Sequence, residues 1–107
     1  MSGTFGDMGN LLKQAQEMQR QLDRAREELR SLTVEGTSGG GAVRATVTGE
    51  GMLTSIAIAR NALAGGDHTL VEDLVLAAVR DGITKATVLR EERMARISGG
   101  LNLPGLL

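Results

Sequence analysis

The stretch MGNLLKQAQEMQRQLDRAREELRSL, residues 8–32, decides the fold, because its apolar residues return at alternating steps of three and four. This spacing places them on one narrow face of an α-helix. We call this face the seam; its members are Met8, Leu11, Ala15, Met18, Leu22, Ala25, Leu29 and Leu32. The positions between them are mostly charged or amide residues, which remain solvated. The pattern predicts a helix from Met8 to Leu32 that packs against a partner helix.

Composition limits both the core and the classes of function. Phe5 is the single aromatic residue and cysteine is absent, so the core is aliphatic, and disulfides and thiolate metal sites are excluded. A monomer of 107 residues buries a smaller fraction of its surface than a larger protein does, which favours a dimer. Without a signal-peptide pattern or a membrane-length apolar run, we expect a soluble intracellular protein with no membrane partner. Since the net charge is −1, nucleic-acid binding would depend on local clusters of basic residues.

Glycine runs and alternating residues divide the middle of the chain. A short strand over residues 32–36 precedes a Gly-rich loop at residues 36–41. Residues 42–48 alternate between apolar and polar side chains, as in a half-buried strand. After a Gly-Glu-Gly turn at residues 49–51, residues 52–59 form a strand with two apolar faces, which is typical of a central strand. The three strands are expected to form an antiparallel meander.

A second long helix is predicted after a loop at residues 64–68. Thr69 and Glu72 have capping-box spacing, and the helix should continue to about Ile97. Its apolar stripe consists of Val71, Val75, Ala78, Gly82, Ala86 and Leu89, with Leu74 and Val79 beside it. Gly82 on that stripe indicates close helix packing or, alternatively, a hinge.

The predicted fold class is therefore α+β: a helix, a three-stranded antiparallel β-meander and a long helix. Residues 8–97 form one domain, residues 1–7 a flexible lead-in, and residues 98–107 a mobile Gly/Leu-rich tail. Each element supplies apolar side chains to the core or to a dimer interface. These packing residues are Leu11, Met18, Leu22, Leu29, Val47, Ile56, Ile58, Leu74 and Val75.

Patterns for catalysis and metal binding are weak. His68 is the only histidine and stands in a Gly-rich loop without a second ligand nearby, so a plain loop histidine is favoured over a metal ligand. The glycines at residues 39–41 and 49–51 lack the features of phosphate-binding and dinucleotide-binding loops. We therefore predict no enzymatic activity, no cofactor, no metal and no small-molecule substrate.

Basic residues gather on the polar faces of both helices. Lys13, Arg20 and Arg24 lie opposite the seam, although ion pairs on a solvated helix face are an alternative interpretation of this line. Between Arg80 and Arg96 the second helix carries five basic residues against three acidic ones. In a dimer, two such helices would contact DNA phosphates. The second-helix candidates are Lys85, Arg90, Arg93 and Arg96.

The element order and several motifs together resemble the YbaB/EbfC nucleoid-associated proteins. The motifs are MGNLLKQAQEMQ at residues 8–19, GEG at 49–51 before SIAI at 55–58, LVEDLVLAAV at 70–79 and SGGLNLPG at 98–105. The resemblance covers nearly the whole chain from Met8 onward.

This resemblance implies an intertwined, cytoplasmic bacterial homodimer whose sheets join at the interface and whose helices project as arms. It also implies binding of double-stranded DNA with little sequence preference, organisation or compaction of the nucleoid, and an influence on gene expression. The basic arm residues would bind the DNA, namely Lys13, Arg20, Arg24, Arg90, Arg93 and Arg96. The alternative function is a protein-interaction adaptor that uses the heptad helix and the apolar tail without binding DNA.

Overall fold

The computed structural model describes the backbone of residues 2–101 and the side chains of residues 7–98. The strands form one antiparallel sheet in the order β1-β2-β3. The elements are α1 (Ser2–Ser31), β1 (Thr33–Ser38), a 3-10 turn (Gly39–Gly41), β2 (Val43–Thr48), β3 (Leu53–Ile58), α2 (Arg60–Leu63) and α3 (His68–Leu101). The predicted order of elements, a helix, a three-stranded antiparallel meander and a long helix, is confirmed.

Both long helices exceed their predicted bounds. α1 begins at Ser2 rather than Met8, so the lead-in expected to be flexible is helical from its second residue. α3 continues to Leu101, which corrects the predicted tail at residues 98–101; residues 102–107 lie outside the described part of the chain. Glycines near a helix end cost only about 1 kcal/mol each, and the continuing helical hydrogen bonds offset that cost.

The start of α3 also differs from the prediction. The Asp67 side chain accepts a hydrogen bond from the Leu70 N–H at 3.1 Å, and its carbonyl accepts from the Val71 N–H at 3.2 Å. Asp67 is therefore the N-cap residue. The capping box predicted for Thr69 and Glu72 is wrong, because Thr69 already lies inside the helix.

β1 passes through Gly36 and ends at Ser38, where the sequence predicted a loop. α3 crosses β1 so closely there that a Cβ atom on Gly36 would overlap the backbone of Gly82. A Cβ atom on Gly82 would lie 2.7 Å from Val47 Cγ2. Close packing, and not a hinge, therefore explains the glycine in the middle of α3. The turn is confined to residues 39–41, whose φ angles are all positive, as glycine permits.

The core lies between α3 and the inner face of the sheet. Val43, Ala45 and Val47 of β2 are fully buried, as are Ala78 and Ala86 of α3. Leu74 and Val75 are partly buried against this cluster, in agreement with the predicted stripe. On α1, Ala25 and Leu29 are buried and Met18 and Leu22 are half-buried, whereas Leu11 is exposed.

β3 is an edge strand of this chain, which corrects the prediction of a central strand. All six of its residues are exposed, including the predicted packing residues Ile56 (42%) and Ile58 (37%). The central strand is β2. The apolar composition of β3 predicts burial, but α3 packs mainly on β1 and β2 and leaves the third strand exposed.

The molecule is elongated, with principal extents of 78 × 23 × 16 Å. α1 passes the β2–β3 turn at Leu29, whose side chain and backbone lie beside Gly49. Beyond that point α1 and the end of α3 project away from the sheet. We call this projection the arm, comprising residues 2–28 of α1 and residues 93–101 of α3. Within the described residues, no helix is both long and apolar enough to cross a membrane.

Candidate nucleic-acid interface

Two arginines fasten the base of the arm to the β2–β3 turn. Arg30 Nε donates to Glu50 Oε1 at 2.9 Å, and Arg90 Nη1 donates to the Glu50 carbonyl at 3.4 Å. The hydrogen bond and charge of the Glu50 carboxylate raise the pKa of Arg30. Arg90, a predicted DNA-binding residue, thus contacts the protein itself and helps to set the direction of the arm.

A cleft of about 200 Å³ lies between the two helices of the arm. Its lining residues are Gln21, Arg24, Ala25, Glu28, Arg93, Arg96 and Ile97. Antiparallel packing of α1 and α3 brings residue 24 near residues 93 and 96, which are about seventy positions away in the sequence. Three of the predicted DNA-binding arginines therefore share one groove.

The arginines of the cleft differ in what they bind. Arg93 Nη1 donates to Glu28 Oε2 at 2.8 Å, and the Arg93 side chain is 30% exposed. Arg24 and Arg96 are exposed, and neither forms a salt bridge with any side chain of residues 7–98. Each guanidinium carries five N–H donors in a planar fork that matches the oxygens of a phosphate. The cleft can therefore bind an anion from both of its walls.

The line of basic residues opposite the seam is only partly ion-paired. Arg20 donates to Glu17 Oε2 at 2.7 Å, and this hydrogen bond and charge lower the pKa of Glu17. Lys13 forms no salt bridge among the described side chains. Neither residue lines the cleft. The ion-pair interpretation thus holds for Arg20. Lys13 remains available to a ligand on the outer face of the arm, and Arg24 remains available at the cleft.

Lys85 lies apart from the other predicted DNA-binding residues. Its Nζ donates to the Glu35 carbonyl at 3.0 Å and pairs with Asp81 at 3.0 Å. The Asp81 carboxylate also accepts from the Thr37 N–H at 2.9 Å, and these two bonds lower the pKa of Asp81. Lys85 and Asp81 therefore connect α3 to β1. Sequence reasoning missed this connection because nothing local links residues more than forty positions apart.

A second surface feature lies at the opposite side of the sheet. β3 pairs with β2 so that Leu53 is opposite Val47 and Ile56 opposite Ala45, with an irregularity between these pairs. Directly paired residues share a face of the sheet, so these β3 side chains point to the side on which α3 lies. The flank of α3 turned away from β1 adds two further exposed side chains. We call this surface the open apolar face: Leu53, Ile56, Ile58, Leu76 and Ile83.

The described residues contain no group of three His, Asp or Glu side chains placed to hold a metal ion. His68 is the first residue of α3, beside the N-cap Asp67. The acidic groups of the arm instead face arginines, at Glu17 and Glu28. Glu17 and Glu28 of the arm therefore form ion pairs with arginines and do not gather into a group of acidic side chains.

Comparison with known proteins adds an independent line of evidence. A family model described as the YbaB/EbfC DNA-binding family matches residues 5–101. A nucleoid-associated protein of Caldanaerobacter subterraneus is 45% identical over 100 residues, covering 94% of this chain and 90% of the relative. A nucleoid-associated protein of Acetivibrio thermocellus is 41% identical over 105 residues, covering 97% and 93%.

A solved structure shares the fold. The crystal structure of an uncharacterized protein from Helicobacter pylori matches with a TM-score of 0.66, covering 92% of this chain and 97% of that one. The two sequences are 23% identical. The arrangement of helix, meander and long helix therefore persists in a distant sequence.

Proposed function

Because the chain belongs to the YbaB/EbfC DNA-binding family, we propose that it is a nucleoid-associated protein that binds double-stranded DNA as a homodimer. The observation that carries this proposal is the cleft in which Arg24, Arg93 and Arg96 converge from two helices. The names of the bacterial relatives support association with the nucleoid, and hence a place in the cytoplasm. The role is binding and not catalysis.

The proposed contacts are mainly to the DNA backbone. The guanidinium groups of arginines on an exposed helix can bind the phosphates of the DNA backbone. Because every DNA sequence has the same phosphates, this binding has little sequence preference. Gln16 and Gln19 lie on the same arm and can add hydrogen bonds that do not specify a base. Lys13 and Arg20 would extend the contact along α1, with Arg20 exchanging Glu17 for a phosphate. Lys85 and Arg90 keep their protein contacts and support the arm.

The open apolar face supports the homodimer. Exposed apolar side chains on an edge strand are removed from water when a second copy covers them, and the unpaired strand edge gains hydrogen bonds. A two-fold related copy presents the same surface and therefore matches it. Joining two chains at β3 would place two arms on one particle. Two arms can hold a duplex between them or link two duplexes, which would organise or compact the chromosome and influence gene expression.

The DNA interface is tested with the double variant Arg24→Ala and Arg96→Ala, which removes the two guanidinium groups of the cleft that form no salt bridge within residues 7–98. Its binding to unrelated duplexes, followed by gel shift over a salt series, should weaken by about tenfold or more. The slope of log affinity against log salt should become shallower by about 0.9 for each phosphate that the variant no longer neutralises. The matched control is Arg44→Ala with Arg60→Ala, which removes the same charge from the sheet side.

Equal affinities of the two double variants would exclude the cleft as the DNA site. An unchanged affinity of the parent protein across the salt series would exclude the backbone mechanism. If no duplex shifts at low or moderate salt, the adaptor function is the better explanation.

The dimer is tested separately with Ile56→Lys, which places a charge in the open apolar face. The solution mass should fall from that of two chains to that of one, because burying an unpaired ammonium is unfavourable. Val88→Lys is the control, since this exposed residue lies on the other flank of α3. A dimer that survives Ile56→Lys would place the interface elsewhere.

A further inference from the structure

The tip of the arm exposes apolar residues that the described side chains leave uncovered. Met8, Leu11 and Leu12 are 62%, 58% and 61% exposed and border one shallow depression. The same seam is half-buried at Met18 and Leu22 and buried further on, where α3 lies against it. The seam of α1 therefore lacks a packing partner among the described side chains from the point where α3 ends to the tip of the arm.

The end of α3 can be located against α1. Arg93 bonds to Glu28, and Ile97 shares the cleft with Gln21, so each turn forward in α3 lies beside an earlier turn of α1. Leu101, the last described residue, is one turn beyond Ile97 and thus lies level with about Met18. From there the uncovered seam continues for about 15 Å to Met8 at 1.5 Å per helical residue.

The remaining chain has the length and the composition to follow that face. Six residues, 102–107, remain beyond Leu101, and an extended chain of that length spans about 20 Å. Half of them are leucine: Leu103, Leu106 and Leu107. Pro104 and Gly105 between them disfavour a helix, so the sequence suits an extended segment.

We propose that residues 102–107 continue in the direction of α3 along the seam of their own chain and cover Met8, Leu11 and Leu12. The segment begins where α3 ends, level with the start of the uncovered seam, and half of its residues are leucine. Tethering also favours it over a second copy, because a short linker gives an effective concentration in the order of millimolar. The seam at the tip is then closed, which keeps arms from associating through their tips and leaves their basic faces available. This inference does not depend on DNA binding or on the dimer.

Two methionines of nearly equal exposure provide the test. Met8 is 62% and Met52 is 64% exposed among the described side chains of a single chain, so peroxide can reach Met8 if nothing further covers it. In the full chain we expect Met8 to oxidise more slowly than it does after removal of residues 102–107, by roughly threefold or more. Met52, at the start of the edge strand, is the internal control and should not respond to the removal. Peptide mass spectrometry measures both rates.

A variant of full length guards against effects of truncation. Leu103→Ser, Leu106→Ser and Leu107→Ser together should accelerate Met8 oxidation as much as the truncation does. A Met8 rate that is fast in every variant would mean that nothing covers the tip, and one that is slow in every variant would mean that another partner does. Either result overturns the proposal.

Engineered cysteines decide whether the cover comes from the same chain, since the natural sequence has none. Leu11→Cys with Leu106→Cys should form a disulfide within one chain, seen as a single-chain band without reductant. Lys13→Cys with Leu106→Cys is the control, because residue 13 lies on the opposite face of α1. Equal crosslinking of the two pairs, or a band of two linked chains, would contradict the proposal.

Discussion

The two ends of the seam contrast within a single helix. Leu29 is 1% exposed beside the β2–β3 turn, whereas Leu11 is 58% exposed on the arm. Both are leucines on the same face of α1, and both fit the same heptad spacing. The difference teaches that periodicity predicts which side of a helix needs cover, while the position of the neighbouring elements decides where that cover is supplied.

The largest effect that tests this contrast comes from replacing leucine by alanine at each end of the seam. Leu29→Ala should lower the free energy of unfolding by about 2–5 kcal/mol, because it leaves a cavity in a closely packed site. Leu11→Ala should lower it by about 1 kcal/mol or less, since its surroundings can adjust. Urea unfolding at one fixed protein concentration measures both. Equal losses would show that the tip of the arm is buried as deeply as its base.

Replacing glycine by alanine should change the free energy of unfolding in opposite directions in the two regions. Both changes should be smaller than that caused by Leu29→Ala. Gly82→Ala should destabilise the protein by about 1–3 kcal/mol, because the new methyl group would overlap the fully buried side chain of Val47. Gly9→Ala, with nothing within 4 Å of its added Cβ, should stabilise by up to about 1 kcal/mol through helix propensity. Thermal unfolding of the two variants reports the sign. Stabilisation by both would mean that α3 does not approach Val47 of β2 as closely as described.

The smallest expected effect concerns charge on the arm. Glu28→Gln should tighten binding to duplex DNA at low salt by roughly twofold to fivefold, because it releases Arg93 and removes a negative charge from the cleft. Glu27→Gln is the matched control: it makes the same change at the adjacent residue, which pairs with Arg30 and does not line the cleft. A gel shift compares them. The same gain from both variants would indicate a general effect of net charge and not a local one.

Much of the fold follows from local patterns in the sequence. The seam of α1, the apolar stripe of α3, the alternation of β2 and the Gly-Glu-Gly turn depend on residues that are close in sequence, so each predicts its element directly. The helix start is harder. Asp67 and Thr69 are both good N-cap residues two positions apart, and the conformation of the preceding loop selects the first.

The candidate site was predictable in its residues but not in its geometry. Arg24, Arg93 and Arg96 were identified on separate helices, and only the antiparallel packing of α1 and α3 places them around one cleft. The same predicted set includes Lys85, whose contacts with Glu35 and Asp81 connect α3 to β1 instead. The sequence pattern of a basic residue on a helix is the same whether its side chain binds a phosphate or a backbone carbonyl, so the sequence does not distinguish the two cases.

The sequence by itself determined the order and type of the elements, the polar and apolar faces of both helices and the family to which the chain belongs. These properties depend on neighbouring residues and on their period. The tertiary structure alone decided that β3 is an edge strand, that Gly36 and Gly82 bring α3 against β1, and that arginines from two helices share a cleft. Such features arise from contacts between distant segments, and close packing makes those contacts depend on the placement of every element at once.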